Sequence, residues 1–114
     1  MKKMSHKDCS TSLQPVKDTL EVIGGKWKIL ILISLWGGNN RFREIERSIP
    51  KLTSKVLAKE LKDLEEHKLI TRTVYDDFPV RIEYEATEYA TSLQTVIKEL
   101  HTWGTKHREV IFSD

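Results

Sequence analysis

Apolar residues recur along this chain at two different periods, and the change of period divides it. Val16, Leu20 and Ile23 fall at helical spacing, Pro15 suits the first turn of that helix, and Gly24-Gly25 closes it. The next segment, Gly25 to Gly38, is apolar almost all round through Trp27, Ile29, Leu30, Ile31, Leu32, Ile33, Leu35 and Trp36. It predicts a central helix covered on most sides. Phe42, Ile45 and Ile49 mark a third helix, with Asn40 as its cap and Pro50 as its stop. From Thr53, a plausible N-cap, Leu57, Leu61 and Leu64 form one helical stripe and Lys55, Lys59 and Lys62 another, with His67-Lys68 as the end. The period then drops to two. LITRTVY, the turn DDFP and VRIEYEAT predict a β-hairpin, with Val80, Ile82, Tyr84 and Ala86 on one face and Arg81, Glu83 and Glu85 on the other. Thr87 caps a long last helix with apolar positions Leu93, Val96, Ile97, Leu100, Trp103, Val110 and Ile111. Residues 1–12 are polar and read as a flexible arm before a single domain, 13–114.

The order α-α-α-α-β-β-α is mainly helical with one small hairpin. A three-helix core followed by a hairpin is a winged helix-turn-helix, here with extra helices at both ends for dimerisation. In that motif the second helix of the turn enters the DNA major groove, and its first residues meet base edges. At 114 residues the chain is one domain, and 39% hydrophobic with 32% charged residues suits a soluble helical globule. The net charge of +2 is too small to indicate nucleic acid by itself. Its placement is more telling. Arg41 to Lys62 holds seven basic residues against Glu44, Glu46 and Glu60, a local excess of +4, while Asp63 to Glu66 contributes −3. Basic charge therefore gathers where the reading helix begins, as phosphate contact requires; a merely solvated helix face is the alternative.

Four residues are the candidates for the reading helix: Thr53, Ser54, Lys55 and Lys59. Small hydroxyls at a helix start allow close approach, and two lysines one turn apart share a face. Arg41 and Arg43 are expected to clamp phosphate from the preceding helix, unless Arg41 pairs with Glu44; Lys51 is a third phosphate candidate in the turn. Arg81 is placed to line the minor groove from the wing's flank, because Asp76 and Asp77 at the tip would be repelled. The last helix carries more apolar surface than so small a domain can cover. Val16, Leu20, Leu93, Val96, Leu100, Trp103 and Val110 are accordingly expected at an interface between two copies. Catalysis is not expected, since no nucleophile–base pair, phosphate-binding glycine loop or metal-ligand cluster is present. No cofactor and no metal is expected either; His6 and Cys9 alone make a poor metal pair. The single cysteine excludes an intrachain disulfide and fits a reducing cytoplasm. The first residues lack the apolar run of a signal peptide, and Ile29 to Trp36 falls far short of the roughly 20 residues a membrane span needs.

Several pieces in order, over about residues 9–107, carry a family resemblance: Cys9, Gly24 to Trp27, Arg41-Phe42, the LxxELKDLEEHKLI run, the Tyr75-to-Pro79 turn, EYEAT, and Trp103-Gly104. Together they resemble the HxlR family of bacterial winged-helix transcriptional regulators, relatives of the MarR group. Departures are Ser10 for proline, Lys68 for a helix-ending glycine, Ala86 for leucine and Ala90 for glycine. The resemblance implies a homodimer built through the first and last helices, bound to double-stranded DNA as a repressor or activator, with any effector unknown. Some members sense oxidants or electrophiles through an N-terminal cysteine, which makes Cys9 a redox candidate; an ordinary free cysteine is the other reading. The remaining alternative for the whole chain is a winged-helix module that contacts proteins without reading DNA.

Overall fold

The computed structural model describes residues 4–113. Helix α1 spans His6–Ile23, α2 Lys28–Trp36, α3 Phe42–Ser48 and α4 Ser54–Glu66. Strands β1, Ile70–Tyr75, and β2, Arg81–Ala86, form an antiparallel hairpin, and a 3-10 turn, Tyr89–Ser92, leads into α5, Leu93–Phe112. This is the winged helix-turn-helix with terminal helices that the periodicities predict. Residues 6–12, expected as an arm, are instead helical. The Ser5 hydroxyl accepts from the Asp8 N–H and starts α1 there, so Pro15 stands inside the helix rather than in its first turn.

One core holds the middle together. Ile31 and Leu32 of α2, Ile45 of α3, Leu57, Leu61 and Leu64 of α4, Ile70 of β1, Ala90 of the 3-10 turn, and Ile49, Leu52 and Leu69 from the joining segments are all buried in it. The α4 stripe falls on this core because its leucines recur every three or four residues. Only part of α2 is covered: Ile31 and Leu32 are fully buried, but Leu30 and Ile33 lie open. The expectation of a helix buried on most sides is corrected here, since α3, α4 and the hairpin pack against one flank and leave the other free.

Helices α2 and α4 end in the same way. Beyond α2, Gly38 at φ 104 sends its N–H to Leu35, and Asn39 bonds back to Ser34. Beyond α4, Lys68 at φ 64 bonds to Glu65, and Leu69 bonds back to Leu64. Both are Schellman ends with one left-handed residue, a conformation that glycine adopts freely and lysine does not. The α3 cap differs from the one expected. Arg41, not Asn40, is the N-cap, and the Glu44 carboxylate accepts from the N–H groups of both.

The wing is tied to this frame at its root. The Tyr84 N–H donates to the Asn40 carbonyl at 2.8 Å, and the Asn40 amide donates to Glu83 at 2.9 Å. Strand register runs from Ile70 opposite Ala86 to Tyr75 opposite Arg81. Thr87 then caps the 3-10 turn, not α5 directly, by accepting from the Ala90 N–H. Helix α5 touches the core at its first residue, Leu93, and then leaves it; none of its residues is fully buried.

Candidate nucleic-acid interface

The turn between α3 and α4 fixes where the basic residues point. Lys51 takes a left-handed conformation, φ 68, which brings the Leu52 N–H back to Ile49 and drops Leu52 into the core. Lys51 itself is exposed. Thr53 has the cap role expected of it, accepting from the Val56 N–H at 3.3 Å. Ser54 is engaged too: its hydroxyl donates to Glu46 of α3, which links the two helices of the motif. Both small hydroxyls thus shape the start of α4. Lys55 is exposed and makes no ion pair among the described residues.

Lys59 is exposed but already has partners. Its ammonium lies 3.2 Å from Asp63 and 3.6 Å from Glu60 on its own helix. Asp63, then Glu60, pushes the Lys59 pKa above the ordinary lysine value. Lys59 in turn holds the Asp63 carboxyl below its usual range, partly opposed by burial and helped by Lys28. Lys28 is the partner the sequence pattern hides. It sits in the apolar α2, buried, with its ammonium 2.7 Å from Glu60 and 3.4 Å from Asp63. Its partners lie 32 and 35 residues away, so no local pattern announces it.

Of the other candidates, Arg41 is exposed and free of ion pairs among the described residues; Glu44 takes backbone N–H groups instead of its guanidinium. Arg43 is exposed with only a loose 3.5 Å contact to Glu46. Arg47, not singled out from the sequence, joins them around an open recess of about 470 Å³ that Asn40, Glu44 and Glu83 also line. Arg81, expected along the wing's flank, already has partners. Its guanidinium is bound to Asp77 at 2.8 Å and to Glu83, and lies 3.9 Å over the Tyr75 ring. The Asp77 hydrogen bond is the first cause of its raised pKa. Arg81 therefore braces the wing, and its charge is neutralised. Among the described residues the wing cation without an ion pair is Arg72, exposed on β1 and set across a small recess from Lys62 of α4. Its signal in the sequence is its place opposite Tyr84, the inward residue of β2.

The expected interface residues form a separate surface. Val16, Leu20, Val96, Leu100, Trp103 and Val110 are all exposed, and Val16, Leu20, Val96 and Leu100 line an apolar groove of about 500 Å³ between α1 and α5. Leu93 is set apart, half-buried against the protomer's own core. Cys9 is exposed and unpaired on α1. Among the described residues no helix is long and apolar enough to cross a membrane, and no group of His, Cys, Asp or Glu could hold a metal.

An α4 with exposed lysines at its start, set on a three-helix core beside a hairpin, is the arrangement of winged helix-turn-helix DNA-binding proteins. Comparison with known proteins narrows the class. Residues 22–112 match the HxlR-like helix-turn-helix family, and the chain belongs to it. It is 42% identical over 99 residues to the HTH-type transcriptional regulator YtcD of Bacillus subtilis, covering 87% of this chain and 79% of that one. The redox regulator HypR in its reduced form superposes with a TM-score of 0.80 at 36% identity, over 89% of this chain and 100% of HypR. Reduced YodB of B. subtilis, a transcriptional regulator, gives 0.71 at 36% identity, over 79% of this chain and 88% of YodB. The protein is thus a member of a family of DNA-binding transcriptional regulators.

Proposed function

We propose that this protein acts as a homodimer that binds a palindromic operator in double-stranded DNA, one α4 in each of two major-groove segments. The observation that carries the reading is the exposed basic surface around α4: Lys51, Lys55 and Lys62 there, Arg41 and Arg43 at the start of α3, and Arg72 on the wing flank. Lys55 and Lys59 are assigned to the groove and Arg41, Arg43 and Lys51 to phosphates, with Thr53 and Ser54 shaping the approach. Pairing through the α1–α5 groove covers its apolar residues and sets two reading helices about one helical turn, roughly 34 Å, apart. The protein acts in transcription and not as an enzyme, in the cytoplasm, where DNA is its substrate-free partner.

The experiment is to incubate the purified protein with fragmented genomic DNA and sequence what it retains. One enriched short palindrome supports the reading. Weak, salt-insensitive retention of all fragments would instead indicate a winged-helix module that contacts proteins. Changing Lys55 and Lys59 to alanine should abolish retention while the circular dichroism spectrum stays native.

A redox response is the second reading, supported by the likeness to HypR and by the exposure of Cys9 on α1, the helix assigned to pairing. An oxidant should then alter operator binding in the wild type and leave Cys9→Ser unchanged. Identical behaviour of the two proteins would remove Cys9 from the mechanism.

A further inference from the structure

We propose that Lys28, buried in α2 and outside the DNA-facing surface, is a positioning residue that frees Lys59 for DNA by acting as the standing counter-ion of Glu60 and Asp63. The proposal rests on the reading of α4 as the recognition helix. Four charged groups lie within reach of one another: the Lys28 ammonium 2.7 Å from Glu60 and 3.4 Å from Asp63, and the Lys59 ammonium 3.2 Å from Asp63 and 3.6 Å from Glu60. Two positive and two negative charges balance. The two lysines differ in what they can do. The Lys28 side chain is 11% exposed and fixed between α2 and α4, whereas that of Lys59 is 70% exposed and able to swing outward.

When Lys59 leaves for a phosphate or base edge, Glu60 and Asp63 must stay behind close to the DNA. With Lys28 beside them the remainder carries −1. Without it the remainder would carry −2, on the helix that enters the groove, and Glu60 would be buried with no partner but Lys59. Each effect draws Lys59 back to its own helix and repels the duplex. Lys28 therefore sets how much of the Lys59 charge is available, although it has no route to the DNA itself. Glu60 is the tighter partner of Lys28, and Asp63 is the tighter partner of Lys59, with one Asp63 oxygen in reach of both lysines.

The test uses the full-length protein and the duplex recovered by genomic selection, with the binding constant measured from 50 to 200 mM KCl. Lys59→Met should weaken binding and lower the salt slope by about 0.9 per protomer if one phosphate contact is given up. Lys28→Met should reproduce both changes, and the double variant should lower the salt slope no further. Lys28→Met combined with Glu60→Gln and Asp63→Asn should restore the wild-type slope, which a merely structural role for Lys28 would not do. Should Lys28→Met fail to fold, Asp63→Asn decides alone. It leaves the Lys28–Glu60 pair intact and should tighten binding roughly threefold or more at low salt, with a clearly smaller gain in a Lys59→Met background, where only the direct repulsion of the duplex is relieved. An Asp63→Asn protein that binds no tighter, or a folded Lys28→Met protein with an unchanged slope, would overturn the proposal. If Lys59→Met itself changes nothing, it is the assignment of Lys59 to the groove that fails.

Discussion

The winged core and the terminal helices solve opposite problems with similar amounts of apolar sequence. In the core, α2, α3, α4 and the root of the hairpin bury Ile31, Leu32, Ile45, Leu57 and Leu64 completely. Of the 38 residues in α1 and α5, only Ile23 is buried, and Leu20, Leu100, Trp103 and Val110 are each about half or more exposed. The difference shows that helical periodicity reports which face of a helix is apolar but not whose surface will cover it. Core leucines have partners in their own chain. The outer residues must find theirs elsewhere, and a second copy is the partner proposed.

That contrast can be broken most forcefully from the core side. Leu57→Ala should cost about 3 kcal/mol of unfolding free energy in urea, independent of protein concentration, because it opens a cavity among residues with no freedom to collapse. Leu100→Glu should leave the core native but yield a monomer in sedimentation, with operator affinity lower by on the order of 10²-fold once two half-sites can no longer be bound together. A monomeric Leu100→Glu protein with full affinity would end the proposed role of the outer helices. A smaller effect sharpens the picture at the edge of the core. Lys68→Gly should raise stability by roughly 0.5–1 kcal/mol in the same urea assay, since it places at the α4 end the residue already found at Gly38. The smallest effect concerns acid. Asp63 has a folded pKa below its ordinary value, so the stability it contributes is present above about pH 4 and is lost as pH falls through the lowered value. Asp63→Asn should flatten the urea-stability profile over that acid limb and lower stability slightly near neutrality, where the contribution of the carboxylate is fully present.

The legible parts of the molecule were those whose causes lie close together in the chain. The stripe Leu57, Leu61 and Leu64, the Thr53 cap and the alternation that turns Tyr84 and Ala86 inward each depend on a few neighbouring residues, and the structure contains all three. Helix α1 is longer than its periodicity predicts: Pro15 suits a first turn but stands inside the helix, and the Ser5 cap lies in a stretch with too few apolar residues to show a period. The charge network was hidden for a different reason. Lys28 looks like an interruption in an apolar helix until α4 brings Glu60 and Asp63 against it. Arg81 looked available because its claimants, Asp77 and Glu83, reach it only once the wing has folded over on itself. Basic residues could be counted in the sequence; which of them stay unpaired depends on how the side chains are placed, against near neighbours for Arg81 and Lys59 and across the fold for Lys28.

The double tie at Asn40 has a consequence for the duplex. Its carbonyl holds the Tyr84 N–H and its amide holds Glu83, so the wing root and the start of α3 form one stiff piece beside Arg41. A protein joined in this way has little slack with which to follow a curved or narrowed groove. Adjustment then falls to the DNA, and base pairs that no side chain touches are selected for how readily they bend and twist. On the proposed function, operators of this protein should share flexible steps in their uncontacted centres, as well as the bases assigned to α4.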